Sequence, residues 1–159
     1  MKKLLFSLIL ASSFITLNAQ TSTDFDGYAL YNQQNENTTY LIDKDGDIAH
    51  TWNNDLACNY TVLLKGNGNI VRGAKNPGNI LGGAAEGGRI QEIAPDGSIV
   101  WEFTYSDASH LSHHDITLVN DNVMLTAWEV KSTNELTQAG YDDASSDKWP
   151  THFVEVAHD

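Results

Sequence analysis

The sequence predicts an all-β chain made of β-propeller blades, with about two to three four-stranded antiparallel blades present. Three observations carry this. Apolar and polar residues alternate with period 2 on both sides of Asp45-Gly46 (residues 40–52) and of Asp96-Gly97 (residues 90–103), the pattern of half-buried strands joined by tight hairpins. The pattern recurs: 51 residues separate Asp45 from Asp96, 53 separate Asn69 from Asn122, and 63 separate Asp96 from Asp159. Four strands in a period near 50 residues is blade spacing. Helical periodicity is absent after the leader, and only residues 132–140 would tolerate a helix.

Residues 1–19 have the layout of a signal peptide. Lys2 and Lys3 precede a mostly apolar run over 4–17, and Leu17-Asn18-Ala19 offers a small residue before the cut. The run is short for a bilayer span of about 20 residues, so no span is expected to remain after cleavage. The mature chain is then exported: periplasmic, on the cell surface or secreted. Residues 20–159 read as the N-terminal part of a propeller domain, incomplete at the C-terminus, because residues 153–159 open a third hairpin of the same kind.

Nine Lys and Arg against 21 Asp and Glu give a net charge of −12, which disfavours nucleic acid and anionic membranes as partners. Four Trp, six Tyr and five Phe supply the apolar surface that a disordered acidic chain lacks. Cys58 is the one cysteine, so the exported chain folds without an internal disulfide, and Cys58 reads as a small buried residue. Asp43, Asp45 and Asp47 resemble a calcium loop, but Ile48 stands where the turn glycine is needed and Asn54 where the bidentate glutamate is needed. A turn is the better reading. No metal and no cofactor is expected.

A second motif also repeats. Residues 60–64, a turn at 65–68 and residues 69–71 match residues 114–119, a turn at 120–121 and residues 122–125. In a blade these are the innermost and second strands. The connections over 72–88, 105–113 and 129–151 then gather on one face, where long loops on a rigid scaffold usually carry the site. The glycines at 82, 83, 87 and 88 mark the first of these as a flexible connection, without the helix and Lys-Ser/Thr of a phosphate loop.

The densest chemistry is Ser109-His110-Leu111-Ser112-His113-His114-Asp115, where the chain enters an innermost strand. Histidine can act as acid, base, nucleophile or ligand near neutral pH. Strand alternation sends His113 and His114 to opposite sides, and Asp115 is placed to orient either ring. The competing reading is architectural: such His-Asp pairs can brace the backbone between blades. Arg72, Lys75 and Arg89 are the cations of the first long connection in an acidic chain; an arginine there is suited to holding a sulfate or phosphate group, and the competing reading is simple solubility. Trp128 is either packing or pocket wall, whereas Trp52, Trp101 and Phe103 recur as packing residues.

His113-His114-Asp115-Ile116, followed by Val123-Met124-Leu125-Thr126-Ala127-Trp128-Glu129, resembles the arylsulfotransferase family of exported propellers. The hairpin at 88–103 and the segment 149–156 are similar too, so the resemblance covers about residues 27–159. It implies a six-bladed propeller that moves a sulfuryl group from an aryl sulfate to a phenol without a nucleotide donor. It also implies a transiently sulfated histidine, lying beyond Asp159, with other histidines and an arginine stabilising charge. Only His114, with His113 as its neighbour, maps onto a family site; Asp115 is a candidate to fix an imidazole tautomer, and His110, Arg72, Arg89 and Trp128 are candidates for substrate contact. The competing class is a non-catalytic binding or surface-scaffold propeller, since this architecture hosts many functions.

The mature chain is expected to begin at or next to Gln20. Mass spectrometry of exported protein checks this, and an intact Met1 would exclude it.

Overall fold

The computed structural model describes residues 26–158; the signal peptide expected over 1–19 and the third hairpin expected at Asp159 lie outside the described residues. Ten strands form three antiparallel sheets. Sheet 1 runs β1 (Tyr28–Asn32), β2 (Thr38–Asp43) and β3 (Ile48–Asn53). Sheet 2 runs β4 (Cys58–Leu64), β5 (Ile70–Lys75), β6 (Gly88–Ile93) and β7 (Ile99–Thr104). Sheet 3 runs β8 (His110–Val119), β9 (Asn122–Glu129) and β10 (Thr151–Val156), with helix α1 (Thr133–Gln138) in the β9–β10 connection. No helix among the described residues is long and apolar enough to cross a membrane.

The Asp-Gly hairpins form as local chemistry dictates. Asp43 Oδ1 accepts from the backbone N–H of Asp45 (2.9 Å) and Asp47 (3.0 Å), and Gly46 takes φ +88°, open to glycine at little cost. The three aspartates thus make a turn. In the second hairpin Asp96 Oδ1 accepts from Ser98 N, and Gly97 takes φ +86°. Helix α1 forms inside the stretch that the sequence marks as helix-tolerant. Ser132 and Glu135 close a reciprocal capping box at its start.

Three strands run further than the sequence suggests. β5 reaches Lys75, β6 starts at Gly88 and β8 starts at His110, so four residues assigned to a connection by sequence are paired in β8. Partner backbones explain the extension: His110 and Leu111 lie opposite Glu129 and Trp128, and Gly87 N donates to Ser112 O. The connection over 76–87 is pinned, not free. Asn79 Nδ2 lies within 2.8–3.1 Å of Ser106 Oγ, Asp107 O and His110 O, and Asn76 N donates to Gly87 O.

Sheet 2 lies between the others. Trp52, Ile70 and Ile93, with Leu30, Leu41 and Val62, fill the seam with sheet 1. Val71, Ile90, Ile116, Val123, Leu125 and Ala127 fill the seam with sheet 3. Each large buried aliphatic group here contributes about 1.5–3 kcal/mol. One contact recurs between successive sheets. His50 Nε2 meets Pro95 O at 2.8 Å, and Trp101, 51 residues after His50, stacks on His158, 63 residues after Pro95, with ring centroids 4.6 Å apart. The outer faces are less covered: Tyr31 stacks on Tyr40 at 5.3 Å on sheet 1, and Phe153 on sheet 3 is 73% exposed.

Glu92 ties the β4–β5 turn to β6. Its carboxylate is buried and accepts from Lys65 Nζ (2.8 Å) and Asn69 Nδ2 (2.5 Å). His158 Nε2 approaches to 2.5 Å, outside hydrogen-bonding geometry. Burial alone would raise the Glu92 pKa; the bonds from Lys65 and Asn69 outweigh it and hold the group below its usual range. A depressed native carboxylate stabilises the fold above the unfolded pKa, and that stabilisation fades as pH falls through the native value. Glu92→Gln is therefore expected to cost about 1–3 kcal/mol at pH 7, with the deficit narrowing below about pH 4.3. Denaturant titrations of both proteins at pH 7 and pH 3.5 measure it, and a deficit independent of pH would contradict the assignment.

Candidate functional site

The site begins with a mismatch in strand pairing. His113 pairs with Thr126 and Ile116 with Leu125, so His114 and Asp115 are extra residues without partners on β9. Such a bulge bends the strand and re-aims its side chains. His114 takes φ +52°, a left-handed conformation costing about 1–2 kcal/mol for an L residue, and one that histidine tolerates better than most. The distortion is held from both sides. Thr126 Oγ1 donates to the His113 carbonyl and lies 3.4 Å from both Asp115 N and Asp115 O, while His114 N donates to Ala85 O at 3.0 Å.

The consequence overturns the alternation argument. His113 and His114 do not diverge to opposite sides: their Nδ1 atoms lie 2.8 Å apart, and the rings meet edge-on at 87°. Two extra residues reset the alternation that regular pairing would impose. At that spacing one proton lies between the nitrogens, so one ring donates and the other accepts. His113 is 7% exposed, stacks on Trp128 with centroids 4.4 Å apart, and places Nε2 3.2 Å from Thr151 Oγ1. Burial pushes its imidazole down to about 4, and the neighbouring His114 acts in the same direction. His113 is thus neutral near neutral pH.

Asp115 does not orient a histidine ring by hydrogen bond. Its Oδ1 accepts from Thr61 Oγ1 of sheet 2 at 2.8 Å, and Thr61 Oγ1 also lies 3.3 Å from His114 O. The Tyr60 ring lies 5.7 Å from that of His114. These neighbours have a structural origin. β4 carries the same kind of bulge, with Cys58 opposite Ala74 and Val62 opposite Arg72, so Asn59, Tyr60 and Thr61 occupy the place that His113, His114 and Asp115 occupy in β8. Tyr60, Thr61, Thr126 and Thr151 were not singled out by sequence reasoning, although aligning residues 59–61 with 113–115 marks the first two.

The other predicted residues divide. Trp128 joins the pair as the surface under His113, and the backbone of Gly83 lies on its far edge, where a Cβ would come within 2.6 Å of the indole. His110 lies apart. Its Nδ1 meets Asp107 Oδ1 at 3.0 Å, and its ring lies 5.3 Å from Tyr105, whose hydroxyl meets His152 Nε2 at 3.0 Å. The arginines are engaged elsewhere. Arg72 is fully buried and gives both Nη2 bonds to Leu56 O (2.7 Å) and Gln91 Oε1 (2.9 Å). Arg89 pairs with Glu102 and donates to Asn76 Oδ1 at 2.8 Å. Neither joins the histidine pair. No group of three or more His, Cys, Asp or Glu able to hold a metal ion occurs among the described residues.

A cleft of about 610 Å³ opens where the three long connections meet, lined by Ile80, Leu81, Ala108, Val130, Thr133 and Trp149 among others. Trp149 lies 6.1 Å from Trp128, ring to ring, so aromatic surface runs from the cleft to the histidine pair. The chain matches no protein-family model and no curated protein.

His113 is expected to remain neutral at pH 5.5 and to protonate only near pH 4. Nitrogen-detected histidine NMR across pH 3.5–8 reads this directly, and titration near the ordinary value of about 6.5 would contradict the buried placement.

Proposed function

We propose that this protein is an exported β-propeller that transfers sulfuryl groups from aryl sulfates to phenols, with His114 stabilising charge on the group in transit. The sequence repeat near 50 residues, the successive packing of one four-stranded and two three-stranded antiparallel sheets and the uncovered apolar outer faces support the propeller, in which every blade is covered on both sides. The observation that carries the function is the His113–His114 pair sharing one proton beside an aromatic wall.

The chemistry follows from the tautomers. A neutral His113 that accepts at Nδ1 from His114 Nδ1–H leaves His114 Nε2 to meet a ligand. In its protonated form His114 presents Nε2–H and positive charge to anionic oxygens, the type of stabilisation that lowers barriers most when it is pre-organised. In the transfer, a nucleophile forms a bond to sulfur as the S–O(aryl) bond breaks, and the phenolate leaves with the electron pair. His114 acts on the sulfuryl oxygens and not as the nucleophile. The aromatic surface of Trp128 and Trp149 suits an aryl group. A binding module is the second reading, favoured by the commitment of Arg72 and Arg89 to internal partners, which leaves the anion-binding role on the histidines alone.

The test is release of coloured phenol from 4-nitrophenyl sulfate by the full-length protein, with and without a phenol acceptor. Acceptor-dependent turnover that falls about a hundredfold or more in a folded His114→Ala variant is the expected result. Turnover indifferent to acceptor would make the protein a sulfatase. No turnover by the folded protein would favour the binding module, and undiminished turnover in the variant would remove His114 from the site.

A further inference from the structure

Sheet 2 buries a positive charge on the face that meets sheet 1, and the facing side of sheet 1 carries buried polar atoms without a protein partner. Arg72 is 0% exposed, and its two bonds, both from Nη2, go to a neutral carbonyl and a neutral amide. Its Nε and Nη1 have no hydrogen-bond partner, which leaves three of the five guanidinium N–H groups unused. No carboxylate among the described residues bonds to it. Asp55 acts only through space from an exposed position, and Gln91 stands between the guanidinium and Glu102.

The facing sheet supplies the other polar atoms. Asn32 pairs across strands with Thr39, and Thr39 with Trp52, so the three share one face of sheet 1. That face meets sheet 2, because Trp52 packs on Ile70 and Ile93. Ile70 and Arg72 are two residues apart on β5 and lie on the same side of it, as do their partners Ile93 and Gln91 on β6. On this shared side Trp52 Nε1, Thr39 Oγ1 and Asn32 Oδ1 are also buried without partners. The set is rich in donors: an indole N–H, a hydroxyl and three guanidinium N–H groups against one amide oxygen. Cys58 does not neutralise the charge. Burial pushes its thiol up, and the S–H lies 2.9 Å and 3.0 Å from Gln33 O and Glu36 O.

We propose that the seam between sheets 1 and 2 is a binding site for a small monovalent anion of halide size, held by Arg72 Nε and Nη1 with the Trp52 indole N–H and the Thr39 hydroxyl. A buried charge without a counter-charge is costly, and a buried donor without an acceptor costs about 1–3 kcal/mol, so an ion that answers both is retained. The ligand is small because Arg72, Thr39 and Trp52 are almost wholly buried, which leaves little room for a tetrahedral oxyanion. The ion is structural, and it is independent of sulfuryl transfer at the histidine pair.

The direct experiment is a crystal of the full chain grown in sodium bromide, with diffraction collected at the bromine edge. An anomalous peak within about 3.5 Å of Arg72 Nη1 or Nε is expected. A water in that place, or the Asp55 carboxylate turned inward onto Arg72, would overturn the proposal. In solution, Tm is expected to rise about 5 °C in sodium chloride over sodium gluconate at equal ionic strength, once chloride is well above its Kd. Trp52→Phe keeps the packing and removes one donor, so the chloride-dependent rise is expected to shrink. A Tm indifferent to the anion, or a chloride effect unchanged in both Trp52→Phe and Arg72→Met, would also overturn it.

Discussion

β8 contains two residues more than β9 can pair, and the rest of the candidate site depends on that surplus. Regular pairing would leave His113 and His114 on opposite faces. The bulge instead turns the two rings toward each other, puts a strained backbone at His114, and leaves Asp115 free to reach Thr61 on the neighbouring sheet. One hydroxyl, that of Thr126, closes the gap in the ladder. Without it the carbonyl of His113 would lose its partner inside the strand pair, and the strain at φ +52° would have less to oppose it.

The same surplus in β4 changes its meaning with its residues. Asn59, Tyr60 and Thr61 fill the equivalent positions; Tyr60 sets an aromatic face beside His114, and Thr61 gives a hydroxyl to Asp115. The two bulges meet where β4 lies against β8. One repeat unit thus carries the titratable pair, and its neighbour carries the wall beside it. The two faces of sheet 2 divide similarly: a cation, Arg72, is buried on the side that faces sheet 1, and an anion, Glu92, is buried on the other, held by Lys65 and Asn69.

Much of the β architecture was legible because it rests on local chemistry. Asp45-Gly46 and Asp96-Gly97 specify hairpins whatever surrounds them, and Ser132 with Glu135 specifies a helix start. Strand ends were less legible, since whether His110 to His113 extend β8 is decided by the backbone of β9 and of residues 86–87. The histidine cluster was visible as composition, but its geometry was not: period-2 reasoning assumes an unbroken ladder, and the bulge breaks it. Arg72 was misplaced for a related reason. β5 is buried almost throughout, so an arginine inside it lies within the packing, although the bare sequence reads as a cation at the start of a loop.

The recurring contact from His50 to Pro95 and from Trp101 to His158 has a consequence for how such a chain can change. In each case the last strand of one sheet touches the segment that follows the third strand of the next, once through a carbonyl and once through a ring face. Neither contact demands one particular partner residue. A duplicated unit inserted between two others would therefore find a serviceable joint on both sides before any adaptive substitution. Lengthening by whole units is an accessible evolutionary step for this architecture, and the side chains at the joints are free to diverge afterwards.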